Sequence, residues 1–271
     1  MSGRSWIPQS VDVSVPSMAR TYDYLLGGAH NLAVDRELAA HVESVMPDAR
    51  AAARVSRSFL ARVVRFMVGQ GIRQFLDIGS GIPTVANVHE VAQGADPECR
   101  VVYVDRDPVA VAHSELMLAN NDRTIIVHAD MRDPGAILDR PETRALLDFD
   151  QPVGLLMLMM LHWVPDETDP WQLMKQYRDV LAPGSYLAIT HVTADNQDDG
   201  VAEVTGLIKE SRSADQLTER SHDQVQALFG DFELVEPGLV GCAAWRPTGP
   251  SDMSEDPETN RVIYGGVARK P

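Results

Sequence analysis

Beyond Gly71, short apolar runs alternate with helical stretches, and this rhythm constrains the chain more than any other feature. "QFLDIG", "CRVVYVDRD", "TIIVHAD", residues 153–161 and "SYLAITHV" each read as a strand. "VANVHEVAQG", "PVAVAHSELMLANN" and "PWQLMKQYRDVLAPG" read as helices between them. Strands that are apolar along their whole length must be covered on both faces, as in a parallel sheet flanked by helices. The tail adds a helix at "SHDQVQALFG", with Ser221 as its cap and Gln224 three residues on. "FELVEPGLVG" and "RVIYGGVARK" then read as antiparallel additions at one edge. The expectation is an α/β, Rossmann-like fold: a mostly parallel seven-stranded sheet with helices on both faces.

Ahead of Gly71 the pattern is helical, in "PSMARTYDYLLGG", "LAVDRELAAHVESVM" and "PDARAAARVSRSFLARVVRFMVGQG". In the third segment Ala53, Phe59, Val63, Val64 and Met67 fall near three- and four-residue spacing, which places them on one face. Residues 1–71 therefore read as an arm and a helical cap, and 72–271 as the Rossmann-like domain.

Charge narrows the range of partners. A formal net charge of -15 and a pI near 4.8 argue against a grip on phosphate backbones, which needs clustered Lys and Arg. The longest apolar run, "PVGLLMLMMLHWV", is too short to cross a bilayer, and "MSGRSWIPQS" lacks a secretory pattern. Cys99 and Cys242 lie far apart, in no metal-type spacing. The expectation is a cytoplasmic protein with no nucleic-acid, membrane or metal partner.

The turn after the first strand is the chemical centre. In "QFLDIGSGIPT", Asp77 sits just ahead of Gly79, Ser80 and Gly81. A pyrophosphate-bearing cofactor favours three glycines here, but Thr84 holds the third place and Asp77 would repel phosphate oxygens. That counts against a nicotinamide-dependent oxidoreductase. A cationic ligand reverses the argument. S-adenosylmethionine carries an ammonium that Asp77 can hold, and the glycines allow close backbone approach. Pro83 suits the first turn of the helix that follows. Asp105 ends the second strand, where an acid takes ribose hydroxyls. Asp130 ends the third, where it can accept from an adenine amino group while Met131 packs on the ring. Arg106 either lies along the adenine or is solvated.

"LDIGSG", "VVYVD", "VHADMRD", "LHWVPDE" and "LAPGSYLAI" resemble the successive motifs of class I S-adenosylmethionine-dependent methyltransferases. "PSMARTYDYLLGGAHNLAVDRE" and "GLVGCAAWRP" resemble, more specifically, a bacterial family of such proteins known mainly as a domain of unknown function. The resemblance implies the fold and the cofactor but no established substrate. It places Asp77, Gly79, Ser80 and Gly81 at the methionine end, Asp105 at the ribose, and Asp130 with Met131 at the adenine. Pro83 departs from the glycine of the commoner methyltransferase loop.

On the acceptor side, methyl transfer depends mostly on positioning and desolvation. A base is needed only for an acceptor protonated at working pH. His162 and His191, at the ends of the fourth and fifth strands, are the candidates, with structural roles as the alternative. Trp163 and Trp245 either wall an acceptor pocket or belong to the core. Tyr22 and Asp23 precede a Gly27-Gly28 break and Asn31 follows it, so this segment reads as a lid over the cofactor or a hairpin covering the sheet edge. "TADNQDD" and "SDMSEDPE" read as solvated loops. The function expected is methyl transfer to an unidentified small molecule. The alternative is a non-catalytic cofactor-binding module of the same fold.

Overall fold

The computed structural model describes residues 7–84, 86–193, 195, 199–211, 213, 215–249 and 262–271. Three helices come first: α1 (Met18–Leu25), α2 (Ala33–Val45) and α3 (Ala49–Gly69). The alternating part follows with β1 (Gln74–Ile78), α4 (Val88–Ala95), β2 (Arg100–Asp105), α5 (Pro108–Leu118) and β3 (Thr124–His128). It continues with α6 (Pro134–Leu138), α7 (Pro141–Leu146), β4 (Gly154–Leu158), α8 (Pro170–Asp179) and β5 (Tyr186–Val192). Last come α9 (Asp199–Glu210), α10 (His222–Ala227), β6 (Glu233–Leu234), β7 (Val240–Gly241) and β8 (Ile263–Arg269).

The strand order is β3-β2-β1-β4-β5-β8-β6, with β7 also paired to β8. β1 to β5 are mutually parallel, and β8 runs antiparallel to β5. The order reverses between β1 and β4, the kind of switch point where open α/β sheets bind ligands. The edge strand expected over 232–241 is split into two short pieces, Leu234 facing Ala268 and Val240 facing Gly265. Pro237 has no N–H for the ladder and Gly238 turns at φ +89, so pairing stops between them. The sheet therefore counts eight strands where seven were expected.

Alternation along the strands assigns the two cores. Phe75, Val101, Tyr103 and Leu156 pack with Phe59, Val63 and Met67 of α3. Leu76, Val102, Leu155 and Ile189 pack on the opposite face with Leu173, Met174 and Tyr177 of α8.

Three local expectations change. The helix after β1 begins at Val88, so Pro83 lies in the loop and not in a first helical turn. Asn87 caps this helix, its N–H donating to Glu90 Oε2 at 2.8 Å. The short α6 and α7, absent from the sequence reading, each start on a proline, which suits a first helical position. α9 is also additional, and its Val204 and Ile208 pack against Leu38 and Val42 of α2. Within "TADNQDD", exposed Asp195 ties two elements together, accepting from the His222 amide at 2.6 Å and the Tyr264 hydroxyl at 3.1 Å. "SDMSEDPE" lies outside the described residues. Among the described residues no helix is long and apolar enough to cross a membrane.

Candidate active site

Side chains two apart on a strand share a face. Asp77 therefore follows Phe75, and Asp105 follows Val101 and Tyr103, onto the side covered by α3. A cavity of about 470 Å³ opens there, between the strand ends and the N-terminal helices. Its wall includes Asp77, Gly79, Ser80, Gly81, Asp105, Arg106, Asp130 and Met131, so all eight residues expected at the cofactor come together.

Asp77 is buried, and burial pushes its carboxyl up to about 7; nearby Arg57 opposes the rise and Asp105 adds to it. A carboxylate in that state gains strongly from a cationic partner. Asp105 Oδ2 accepts from the Gly81 amide at 2.7 Å, and Oδ1 from the Asp107 amide at 2.8 Å. Burial still lifts its carboxyl to about 6 against those two amides. Gly79 and Gly81 take φ +74 and +66, and a Cβ on Gly79 would meet Met160 Sδ at 2.0 Å. Glycine at 79 thus suits its backbone, and any Cβ there would force the Met160 side chain to move.

The third acid has company that the sequence reading omitted. Arg132 grips Asp130 with both ends of its guanidinium, Nε–Oδ1 at 2.9 Å and Nη2–Oδ2 at 2.5 Å. These bonds hold the Asp130 carboxyl below its usual range. Arg106, in the cavity wall, reaches Asp130 at 3.9 Å and pairs with Asp215. Met131 is buried in the wall, and its carbonyl accepts from the Tyr177 hydroxyl at 2.7 Å.

The N-terminal helices are tied to this strand end. The Ser17 hydroxyl donates to Asp107, and Arg20 bridges Asp35 at 2.7 Å and Asp107 at 3.5 Å. Tyr22 lies in the cavity wall with its hydroxyl donating to the Ala53 carbonyl at 3.1 Å. Asp23 and Asn31 do not join it there. Asp23 Oδ2 accepts from the His30 amide at 2.9 Å and from Asn31 Nδ2 at 2.8 Å, while Asn31 also donates to the Gly28 carbonyl at 3.0 Å. A buried carboxylate needs donors, and this one takes them from its own turn. A Cβ on Gly28 would strike Asp23 Oδ1 at 2.0 Å, which explains that glycine.

At the end of β4, Met159 adopts φ +57, its N–H donating to Thr190 Oγ1 at 2.8 Å. Such backbone strain in a bulky residue is concentrated at functional sites. His162 follows in the cavity wall, fully buried, with neither ring nitrogen partnered among the described residues. Burial, with His191 and Arg220 nearby, holds its imidazole neutral, well below 6.5. His191 is not brought to the cavity. Its Nδ1 donates to the Val192 carbonyl at 2.6 Å and its Nε2 accepts from Arg220 at 2.9 Å. Arg220 in turn donates to the carbonyls of Leu161 and Val164, clamping the turn that carries His162. Trp163 stands in the wall, its indole N–H donating to the Met159 carbonyl at 3.0 Å. Trp245, expected either there or in the core, is core: fully buried, with ring centroids 5.5 Å from Phe59 and 5.6 Å from Phe66. Arg62 holds its carbonyl at 2.9 Å, so α3 fixes that tryptophan away from the cavity.

Sequence reasoning missed Arg57. With Ala53, Ser56 and Leu60 it forms the cavity-facing stripe of α3. A charged residue at helical spacing within an apolar face was the available signal.

Comparison with known proteins settles the family. The sequence model of the S-adenosyl methyltransferase family matches residues 4–271, essentially the whole chain. The protein belongs to that family. Two crystal structures share its whole architecture. A candidate methyltransferase of Thermobifida fusca YX is 40% identical, covering 98% of this chain and 99% of that one at a TM-score of 0.92. A DUF574 family protein of Streptomyces avermitilis MA-4680 is 38% identical, covering 96% and 99%, also at 0.92. The N-methyltransferase NodS of Bradyrhizobium japonicum WM9, solved with S-adenosyl-L-homocysteine, shares the fold alone, at 14% identity, 93% and 99% coverage and a TM-score of 0.50. No functionally curated protein matches the chain. S-adenosylmethionine is the cofactor of the family, and the buried Asp77 beside the glycine turn in the cavity wall fits its cationic end.

Proposed function

We propose that this family member transfers the methyl group of S-adenosylmethionine to a small molecule enclosed beneath α1 and α2. The observation that carries the reading is the pair of buried strand-end carboxylates, Asp77 and Asp105, facing one cavity whose roof is latched to Asp107, just beyond the second strand. When bound, the cofactor supplies a methyl carbon made electrophilic by a sulfonium. Asp77 holds the ammonium, Asp105 takes ribose hydroxyls, and Met131 packs on the adenine, with Asp130 and Arg132 beside it. The glycine turn lets the backbone approach the methionine end. The roof excludes water, which strengthens each of these contacts.

His162 is the candidate base on the acceptor side, because it stands in the cavity wall and its nitrogens are committed to no other described group. Its lowered basicity limits it to an acceptor that gives up its proton readily. His191 acts through Arg220 on the turn that carries His162, a positioning role. Tyr22 and Trp163 flank the acceptor. The decisive experiment is calorimetric titration with S-adenosylhomocysteine of the wild type and Asp105→Ala, with NAD as a control. Saturable binding that Asp105→Ala weakens, and no response to NAD, is the expected result. A folded wild type that binds no S-adenosylhomocysteine would sink the proposal.

A further inference from the structure

We infer that the methyl acceptor is an uncharged, predominantly apolar and compact molecule, held in the half of the cavity between α1, α2 and α9. The inference rests on the methyl-transfer reading of the site. The cavity has two chemically distinct ends. At the strand ends its wall carries Asp77, Asp105, Asp107 and Asp130, with Arg57, Arg106, Arg132 and Asp215 among them. Away from the strands the wall is made by Met18 and Leu25 of α1, Val42 of α2 with Met46 just after it, and Val204 and Ile208 of α9. These six belong to one apolar cluster, to which Trp163 and Val192 also contribute. The charged residues described in the cavity wall are Asp77, Asp105, Asp107, Asp130, Asp215, Arg57, Arg106 and Arg132, and none of them lies on α1, α2 or α9.

An ion placed against such a wall would lose its hydration and find no counter-charge, which costs far more than burying a neutral group. The chamber therefore selects by exclusion: carboxylates, ammonium groups and phosphates are rejected whatever their shape. The net charge of -15 adds a second, independent discrimination against anions approaching from solution. Two polar residues of α1, Thr21 and Tyr22, also line the cavity. Thr21 lies in the cavity wall, on the same α1 face as Met18 and Leu25, with its hydroxyl buried and without a partner among the described residues. Size follows from volume. A cavity of about 470 Å³ lies within the roughly 300–1,000 Å³ range of a pocket for one drug-sized ligand. An acceptor that shares it with the cofactor must be compact.

The test uses three probes of one shape and three charges: 2-naphthol, 2-naphthoate and 2-naphthylmethylammonium. Each is titrated at neutral pH into protein saturated with S-adenosylhomocysteine. The expected result is saturable binding of naphthol, about tenfold or more tighter than either ion. Met46→Lys, checked for folding by circular dichroism, places a cation in the chamber and should reverse the order in favour of naphthoate. Either ion binding the wild type as tightly as naphthol, or no saturable naphthol binding, overturns the inference. So does a folded Met46→Lys variant that keeps the wild-type preference. The wild-type series decides the question without the variant. Failure of S-adenosylhomocysteine itself to bind would instead reject the methyl-transfer reading on which the inference stands.

Discussion

The strand-end half of the cavity and its helical half are built by opposite means. The first is assembled from backbone turns and carboxylates at fixed positions, where a register shift of one residue in β1 or in β2 would take Asp77 or Asp105 out of the site. The second is assembled from side chains such as Val42, Val204 and Ile208, which differ from ordinary core residues only in facing a space. The difference teaches that polar recognition is carried by strict geometry and apolar recognition by what packing leaves open. Substitutions at the two ends should therefore fail differently.

The largest expected effect is at Gly79. Gly79→Val must adopt φ +74 and drive a Cβ into Met160, so affinity for S-adenosylhomocysteine should fall by roughly a hundredfold or more, with the sheet intact by circular dichroism. Calorimetric affinity within threefold of wild type would break the idea that the turn is geometrically strict. Next comes Asp105→Ala, expected to weaken binding by about 1–3 kcal/mol through lost ribose and Gly81 contacts. Unchanged affinity in a folded variant would mean that the ribose lies elsewhere.

The pH effect is smaller and has two signs. Pairing with an ammonium requires ionised Asp77, whose carboxyl stands at about 7. Affinity should therefore hold above that pH and fall by up to about tenfold per unit below it. Stability of the ligand-free fold moves the other way. Because the folded-state value is raised from 3.8 to about 7, the folded form binds the extra proton, and the stabilisation is lost as pH rises through that window. The Tm shift produced by S-adenosylhomocysteine should thus grow with pH in the wild type, and Asp77→Asn should flatten the trend.

Trp245→Phe sharpens the contrast from the core side. Losing ring volume against Phe59 and Phe66 should lower stability by roughly 1–3 kcal/mol and leave cofactor affinity unchanged. A changed affinity with unchanged stability would return Trp245 to the site. The smallest effect concerns His162. Burial holds its imidazole well below 6.5, so the ring NMR shifts should be flat through and above that pH. A titration near 6.5 would show that the ring is open to solvent.

Legibility in the sequence followed the same division. Asp77 and Asp105 were readable because a continuous apolar run has only one carboxyl end, and an acid placed there has few structural uses. Asp130 was readable by place but not by state. Arg132 lies only two residues on, yet nothing in the spacing shows that its guanidinium folds back onto both oxygens. Pro83 misled because a proline after a glycine turn suits a helix start, whereas the reciprocal Asn87–Glu90 cap set the start later. Asp23 and Asn31 were correctly placed at a helix break, but their side chains close the break itself.

The amino-acid sequence by itself determined the alternating sheet, its parallel core and the carboxylates at its strand ends, because periodicity and strand termini are local properties of the chain. Tertiary structure decided which apolar residues face the cavity and which fill the core, sending Trp163 to the one and Trp245 to the other. It also decided that α9 completes the apolar chamber with α2. The physical reason is that a hydrophobic side chain leaves water for any dry neighbour, so whether that neighbour is protein or ligand is fixed only when distant segments have packed.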